Sequence, residues 1–162
     1  MSTKTDYVDE EWMHLRRAPF VVAAGITISD PGGPIEIAHE TTAALKAASS
    51  PPSRERLLIE VSQEISSMVA QKQNPLEGFK PEGSTPADEM VIDEIGVVNA
   101  ILEAKATPEE AAAFRGWLLD VAQAAADAAK EGGFLGIGAV RVSEGERSML
   151  DRLRSALGVA DA

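Results

Sequence analysis

Two Glu-x-x-His pairs are the residues of this sequence whose types and spacing could do chemistry. Glu11 and His14 form one pair, Glu36 and His39 form the other, and together they use both histidines of the chain. A separation of three residues places a carboxylate and an imidazole on one face of a helix. In helical bundles, two such pairs with two further carboxylates hold a di-iron or di-manganese centre. One hypothesis is therefore a divalent-metal site, with Fe or Mn bound by these four residues.

The further carboxylates of such a centre would have to come from other helices. Candidates are Glu60, Glu64, Asp93, Glu94 and Glu103. Two observations weigh against the hypothesis. Glutamate is abundant enough to produce this spacing by chance, and the pairs lie on consecutive helical segments, whereas ferritin-like bundles interpose another ligand helix. The competing interpretation makes the four residues surface or capping residues, with no cofactor bound.

A glycine-rich stretch, "GGFLGIGAVRVSEGE" at 132–146, raises the question of phosphate binding. A Walker A loop needs a lysine after its glycines, and a dinucleotide loop needs a third glycine where Arg141 stands. A structural role accounts for more of the residues. Gly133 would end a helix, Phe134 would contact that helix, and Ser143 would begin the next one. The stretch therefore predicts a helix end followed by a buried crossing, without a nucleotide site.

Composition excludes several classes of function. The chain has no cysteine, so thiolate metal sites and cysteine nucleophiles are excluded. The net charge of −11 argues against nucleic acid and against anionic membranes as partners. The longest apolar run, 20–28, is too short to span a bilayer. Neither Gly-x-Ser-x-Gly nor His-Glu-x-x-His occurs, so no catalytic residue is predicted. We expect a cytoplasmic protein.

Helical periodicity and capping signals recur along the chain and would position these residues. The clearest signals are two Ser/Thr-x-x-Glu capping boxes, at 107–110 and 143–146. Further helix starts are predicted at Asp6, Pro34, Ser53 and Thr85. Pro19 either begins a second short helix or kinks the first. The buried stripes are clearest in three helices, through Leu57, Val61, Ile65 and Met68, through Phe114, Leu118, Val121 and Ala125, and through Leu150, Leu153 and Leu157.

Strand signals are confined to two short segments, 26–28 and 140–142. They could pair as a minimal two-stranded bridge, but extended segments leading into helices are the favoured interpretation. The predicted fold is therefore all-α, a compact bundle of about six helices with at most a token β-bridge. We expect one helical domain, 1–162, with a flexible Pro/Gly-rich loop at about 74–85.

A short motif repeated twice suggests a family. "AVRVSE" before the last helix is echoed by "GITISD" at 25–30, and each follows a helix that contains a tryptophan. A helix, a short turn, Val/Ile-Ser-x-x-Glu and a second helix, duplicated in an acidic all-α domain, resembles the TerB-like proteins of bacterial tellurite resistance and stress operons. The best match is Val142 to Glu146. The acidic Asp-Gly turn of that family is missing here, which leaves its metal binding without a counterpart in this chain.

These observations favour a non-enzymatic helical protein. It would act by protein–protein interaction or by self-association, and the TerB-like resemblance implies a stress response as its setting. The alternative is a metal-binding or di-metal carboxylate protein built on Glu11, His14, Glu36 and His39.

Overall fold

The computed structural model describes residues 2–29, 34–79, 85–131 and 143–159, and the side chains of residues 34, 36 and 129–131 also lie outside this description. The described residues form an all-α bundle without strands, which confirms the predicted fold class. A short 3₁₀ helix, Lys4–Asp6, comes first. Six α-helices follow it, namely α1 (Asp9–Ser29), α2 (Pro34–Ala48), α3 (Arg56–Ala70), α4 (Ala87–Lys105), α5 (Pro108–Glu131) and α6 (Glu144–Leu157).

Helix α1 is the centre of the bundle, because it contacts each of the other five α-helices. Its middle, from Leu15 to Ile26, is buried almost without interruption. Pro19 lies inside this buried stretch, and no second helix begins there. A proline within a helix removes one backbone hydrogen bond. Burial of its ring among the surrounding helices offsets that loss, so tertiary packing keeps the helix continuous.

The pairing of α2 with α5 depends on small residues. Ala44 and Ala48 of α2 are buried, as are several alanines of α5. Trp117 fixes the position of the two helices, since its indole N–H donates to the carbonyl oxygen of Ala47 at 3.0 Å. The ring of Phe114 meets Trp117 edge to face at 5.3 Å. Both aromatic side chains are fully buried, so they anchor the core.

The predicted buried stripes are confirmed in α3, α5 and α6. Each residue of those stripes is less than 9% exposed, namely Leu57, Val61, Ile65, Met68, Phe114, Leu118, Val121, Ala125, Leu150, Leu153 and Leu157. Both capping boxes are also confirmed. Thr107 and Ser143 each accept a hydrogen bond from the backbone N–H three residues later, at 3.2 Å. The carboxylates of Glu110 and Glu146 accept the reciprocal bonds, at 3.1 and 3.0 Å.

Three of the predicted capping residues do not cap a helix, although α4 begins within two residues of the predicted start. The Asp6 carboxylate accepts the Thr3 N–H at 2.7 Å and completes the 3₁₀ turn, while Glu11 accepts the Val8 N–H at the start of α1. Helix α4 begins at Ala87 without a side-chain cap, although Thr85 was expected to provide one. Ser53 bonds the Glu55 N–H, and α3 begins only at Arg56. Asp6 and Ser53 each bind another backbone N–H than the one that the spacing suggested. No side chain caps the start of α4.

The two strand-like segments have different outcomes. Residues 26–28 belong to α1, so the extended conformation expected there is wrong. The apolar neighbours of α1 favour a continuous buried helix over the β-branched preference of Ile26 and Thr27. Residues 140–142, Gly133 and Phe134 lie outside the described residues, as do residues 80–84 of the loop. The buried crossing at 132–142 therefore stays a prediction.

The end of α1 meets the start of α6 at Gly145. A Cβ atom built on Gly145 would lie 2.4 Å from the backbone oxygen of Ser29, well inside van der Waals contact. The backbone of α1 cannot move aside as a flexible side chain can. Only glycine therefore permits this contact between the two helices.

We predict that Gly145→Ala lowers the free energy of unfolding by about 1–3 kcal/mol, because the added methyl group overpacks a backbone contact. Urea titration followed by circular dichroism measures the change. Gly116→Ala is the matched control, since a Cβ at this position in α5 meets no heavy atom within 4 Å. The control should be neutral or slightly stabilising, as alanine favours helix over glycine. Equal stability of the two variants would contradict the contact.

Candidate functional site

The most unusual side chains of the core are His14, Arg17 and Glu94. His14 and Arg17 lie one turn apart on α1 and face Glu94 of α4. The Arg17 guanidinium donates to both carboxylate oxygens of Glu94, from Nε at 2.7 Å and from Nη2 at 3.0 Å. The side chains of Arg17 and Glu94 are 7% and 8% exposed. We call these three residues the polar cluster.

His14 completes the polar cluster through one ring nitrogen. Its Nδ1 lies 2.6 Å from Glu94 Oε1 and 3.2 Å from Arg17 Nη2. A carboxylate can only accept, so the short contact requires that Nδ1 carries a proton and donates to Glu94. Nε2 forms no hydrogen bond with any residue that the structure describes. Glu94 therefore holds the His14 ring through Nδ1, and Arg17 Nη2, which can only donate, lies beside that nitrogen.

A turn at residues 75–78 covers the guanidinium. Gly78 has a φ of 86°, a conformation that favours glycine, and a Cβ there would lie 3.3 Å from Arg17 Nη1. The ring of Phe79 lies 5.7 Å from the Arg17 Cζ atom, within the range of a cation–π interaction. The turn thus shields the ion pair from water, which strengthens it.

The pKa of Glu94 reflects two opposing effects. Burial raises this pKa, because a carboxylate loses its hydration inside the protein. Hydrogen bonds from Arg17 and His14 outweigh burial, and the pKa lies below its ordinary value. The carboxylate is therefore charged and balances the buried guanidinium. The cluster is chemically a satisfied ion pair that ties α1 to α4.

The residues of the metal hypothesis are engaged elsewhere or lie far apart. Glu11 accepts from Lys105 Nζ at 2.7 Å, and His14 belongs to the polar cluster. His39 is exposed on α2, and the side chain of Glu36 is not described. The Thr27 hydroxyl donates to Glu40, so the first half of α2 lies beside the end of α1. The thirteen residue steps from His14 to Thr27 correspond to about 20 Å of helix.

No group of three or more potential metal ligands occurs among the residues that the structure describes. Of the additional carboxylates, Glu94 does meet His14, but it also binds Arg17. Glu60 and Glu64 bind Lys4, and Glu103 lies 3.6 Å from Arg115. The metal site stays a prediction, and none of these contacts favours it.

A different surface stands out on α2. Ile35, Ile37, Ala38, Thr41 and Thr42 are all exposed, and we call these five residues the α2 face. Ile35 is 70% exposed and Ile37 is 40% exposed. The hydroxyls of Thr41 and Thr42 donate to the carbonyl oxygens of Ile37 and Ala38, each at 2.8 Å. The hydroxyl protons of both threonines are therefore used within the helix, and their methyl groups add apolar surface.

A groove between α1 and α2 continues the α2 face. Its volume is about 250 Å³, and Ile28, Ile37 and Thr41 line it together with Phe20 and Ala44. Ile28 is 38% exposed. Most of the exposed wall is apolar. The α2 face and the groove therefore form one weakly polar surface at the edge of the bundle.

Charged side chains are sparse on this surface. Glu40 is buried, with 1% of its surface exposed. His39 and Lys46 are exposed on the same helix. Among the described side chains of α2, none that is both acidic and exposed occurs, although the whole chain carries a net charge of −11. The ionisable side chains described as exposed on α2 are therefore His39 and Lys46.

Comparison with known proteins adds no relative. No family model matches the chain, and neither the curated proteins nor the solved structures include a match. Among the described helices, none is long and apolar enough to cross a membrane.

The sequence analysis singled out neither Arg17 nor the α2 face. Arg17 follows His14 by three residues, so the shared helix face was visible. The α2 face was not, because helical periodicity does not show which side of a helix the neighbouring helices cover. The exposure of Ile35 follows from the positions of α1 and α5, which cover other sides of α2.

We predict that Glu94→Gln lowers the free energy of unfolding at pH 7 by about 3 kcal/mol, because it leaves the buried Arg17 without its counter-charge. A depressed carboxyl pKa stabilises the fold above the ordinary value of 4.5, and this stabilisation is lost as pH falls through the folded-state pKa. The difference between wild type and variant should therefore shrink below pH 4.5. Urea titrations at several pH values measure it.

Glu103→Gln is the control for this experiment, since Glu103 is 73% exposed and lies at the edge of hydrogen-bonding range from Arg115. Its stability should follow that of the wild type at every pH. A Glu94→Gln deficit that stays constant down to acid pH would show that Glu94 is not held charged by Arg17.

Proposed function

We propose that this chain is a non-enzymatic helical protein that works by protein–protein interaction through the α2 face. The observation that carries the proposal is the exposure of Ile35 and Ile37 beside threonines whose hydroxyls are already bonded. Association is favourable when a partner removes such a surface from water. Contiguous apolar patches on a protein surface mark interaction sites.

The other exposed large hydrophobic side chains differ from those of the α2 face. Val8, Val69 and Val97 are 59%, 39% and 41% exposed, and they are separate in the fold, since Val8 precedes α1, Val69 lies on α3 and Val97 lies on α4. Isolated apolar residues of this kind are normal at a protein surface. The isoleucines of α2 differ, because both lie on one helix and Ile37 also lines the α1–α2 groove together with Ile28.

The remaining features of the proposal rest on the sequence. A net charge of −11 disfavours a nucleic-acid partner. The TerB-like resemblance suggests a stress response as the biological setting, and the cytoplasm as its location remains a prediction. The described contacts of Glu11, His14 and His39 give the metal alternative no support, so we do not advance it as a second function.

We predict that a photoreactive amino acid placed at position 35 cross-links to a protein in cells of the native host, because Ile35 lies at the proposed interface. The same amino acid at position 69 should not cross-link, although Val69 is also an exposed apolar residue. Denaturing gel electrophoresis and mass spectrometry identify the adducts. A second substitution, Thr42→Glu, should suppress the cross-link at position 35 by placing a charge within the interface.

Two outcomes would contradict the proposal. One is the absence of any adduct at position 35. The other is an adduct at position 35 that Thr42→Glu leaves unchanged, or that position 69 matches in yield.

A further inference from the structure

We infer that the peptide bond between Met1 and Ser2 is a processing site, and that its hydrolysis leaves an α-ammonium group on Ser2 that pairs with the buried Glu110. Water adds across the amide, the carboxylate leaves with Met1, and the amine stays on Ser2, where it takes up a proton near neutral pH. The same new terminus results whether Met1 leaves alone or as the end of a longer segment. The inference is independent of the α2 face.

The contacts of Ser2 are the first argument. Ser2 is 5% exposed, and Glu110 at the start of α5 is fully buried. The Ser2 backbone nitrogen lies 2.7 Å from Glu110 Oε1, and the Ser2 hydroxyl donates to Oε2 at 2.7 Å. The Tyr7 hydroxyl donates to the Ser2 hydroxyl oxygen at 2.8 Å and fixes the serine from its other side. The nitrogen that hydrolysis would turn into an amine is therefore already held against a carboxylate.

Charge balance around Glu110 is the second argument. Its described hydrogen-bond donors are neutral, namely the N–H and hydroxyl of Ser2 and the Thr107 N–H at 3.1 Å. Among the residues that the structure describes, no lysine, arginine or histidine side chain contributes to the pKa of Glu110. A buried charge is costly unless an opposite charge accompanies it. Glu94 meets this requirement through Arg17, and an ammonium at Ser2 would meet it for Glu110.

The pKa of Glu110 shows how strongly its surroundings favour the carboxylate. Burial raises this pKa, hydrogen bonds from Ser2 and Thr107 outweigh burial, and the positive charge of the chain terminus adds a smaller effect. Hydrolysis would place that positive charge on the nitrogen that contacts Oε1. A separation of 2.7 Å is typical of a hydrogen bond between an ammonium and a carboxylate. The geometry therefore accepts the charge without rearrangement.

The burial of Ser2 also sets the order of events. A peptidase must reach the bond before Ser2, which the folded segment covers. Lys4 N–H donates to Glu60 at 2.7 Å and Lys105 Nζ donates to the Asp6 carbonyl oxygen at 3.1 Å, so further contacts hold this segment to α3 and α4. Hydrolysis therefore precedes the docking of the segment, and the small side chain of serine suits enzymes that remove a methionine from the residue after it.

The competing interpretation is that Glu110 is a capping residue only. It belongs to the capping box of α5, and the amino end of a helix carries a partial positive charge. Under this interpretation the state of the Ser2 nitrogen has no influence on the carboxylate. The two interpretations therefore differ in whether Glu110 and the charge on Ser2 stabilise the fold together.

Peptide mass spectrometry of the protein from its native host tests the processing. We predict a peptide that begins at Ser2 with a free amine. Peptides that retain Met1 would overturn the inference, and so would Ser2 that is acetylated throughout.

A double-mutant cycle tests the ion pair. One chain begins at Ser2 with a free amine, and the other begins at Ser2 with an acetyl group, which keeps an amide N–H but removes the charge. Glu110→Gln removes the carboxylate charge and keeps a residue that the capping box accepts. In urea titrations it should lower the folding equilibrium constant at least about tenfold more in the free-amine chain than in the acetylated chain.

Glu109→Gln is the matched control, because Glu109 adjoins Glu110 and is exposed. It should have the same small effect in both chains. An equal effect of Glu110→Gln in the two chains would overturn the ion pair. If Glu110→Gln does not fold, the two chains with Glu110 decide between the interpretations. A more stable free-amine chain supports the pairing, and equal stability of the free-amine and acetylated chains overturns it.

Discussion

The middle of α1 is buried among the other five α-helices, and the rest of the structure depends on this burial. A helix in such a position must be apolar on all sides or must bring its polar groups to a partner inside the core. Helix α1 does both, with an apolar middle around Val21 and Val22 and with His14 and Arg17 near its first half. Glu94 binds both polar residues and offsets the free-energy cost of burying them. The bundle therefore requires a carboxylate on α4 opposite His14 and Arg17.

The sequence was most informative about the fold where the signal is local. The capping box at Ser143 needs only residues that are three apart, and the stripe of α3 needs only the period of the helix. Predictions failed where a local signal competed with packing. Pro19 and the β-branched residues at 26–28 suggested breaks, but both lie on the helix that all the others surround. Burial on every side outweighs the preference of a few residues for another conformation.

The same distinction between local signals and packing applies to the polar cluster. Spacing identified His14 as a residue of interest, and Glu94 was among the carboxylates proposed to join it. The contact between His14 and Glu94 was therefore within reach of sequence reasoning, although its chemistry was not. The alternative hypothesis placed a metal ion at this point, and in the structure the positive charge that binds Glu94 is Arg17. The cation that balances a buried carboxylate depends on the side chain that α1 brings beside it. Residue spacing alone does not predict whether that cation is an arginine or a metal ion.

The α2 face poses the opposite question, because nothing in the core requires it. The exposed side of α6 carries Glu144, Arg147 and Asp151, as expected of a helix at the surface of a charged protein. Helix α2 packs on α1 and α5 just as a surface helix does, yet its outer side carries Ile35 and Ile37 together with His39 and Lys46. Charged residues at positions 35 and 42 would leave the packing of Ala44 and Ala48 unchanged. Folding therefore does not account for the exposed isoleucines, whereas the proposed interaction with a protein partner does.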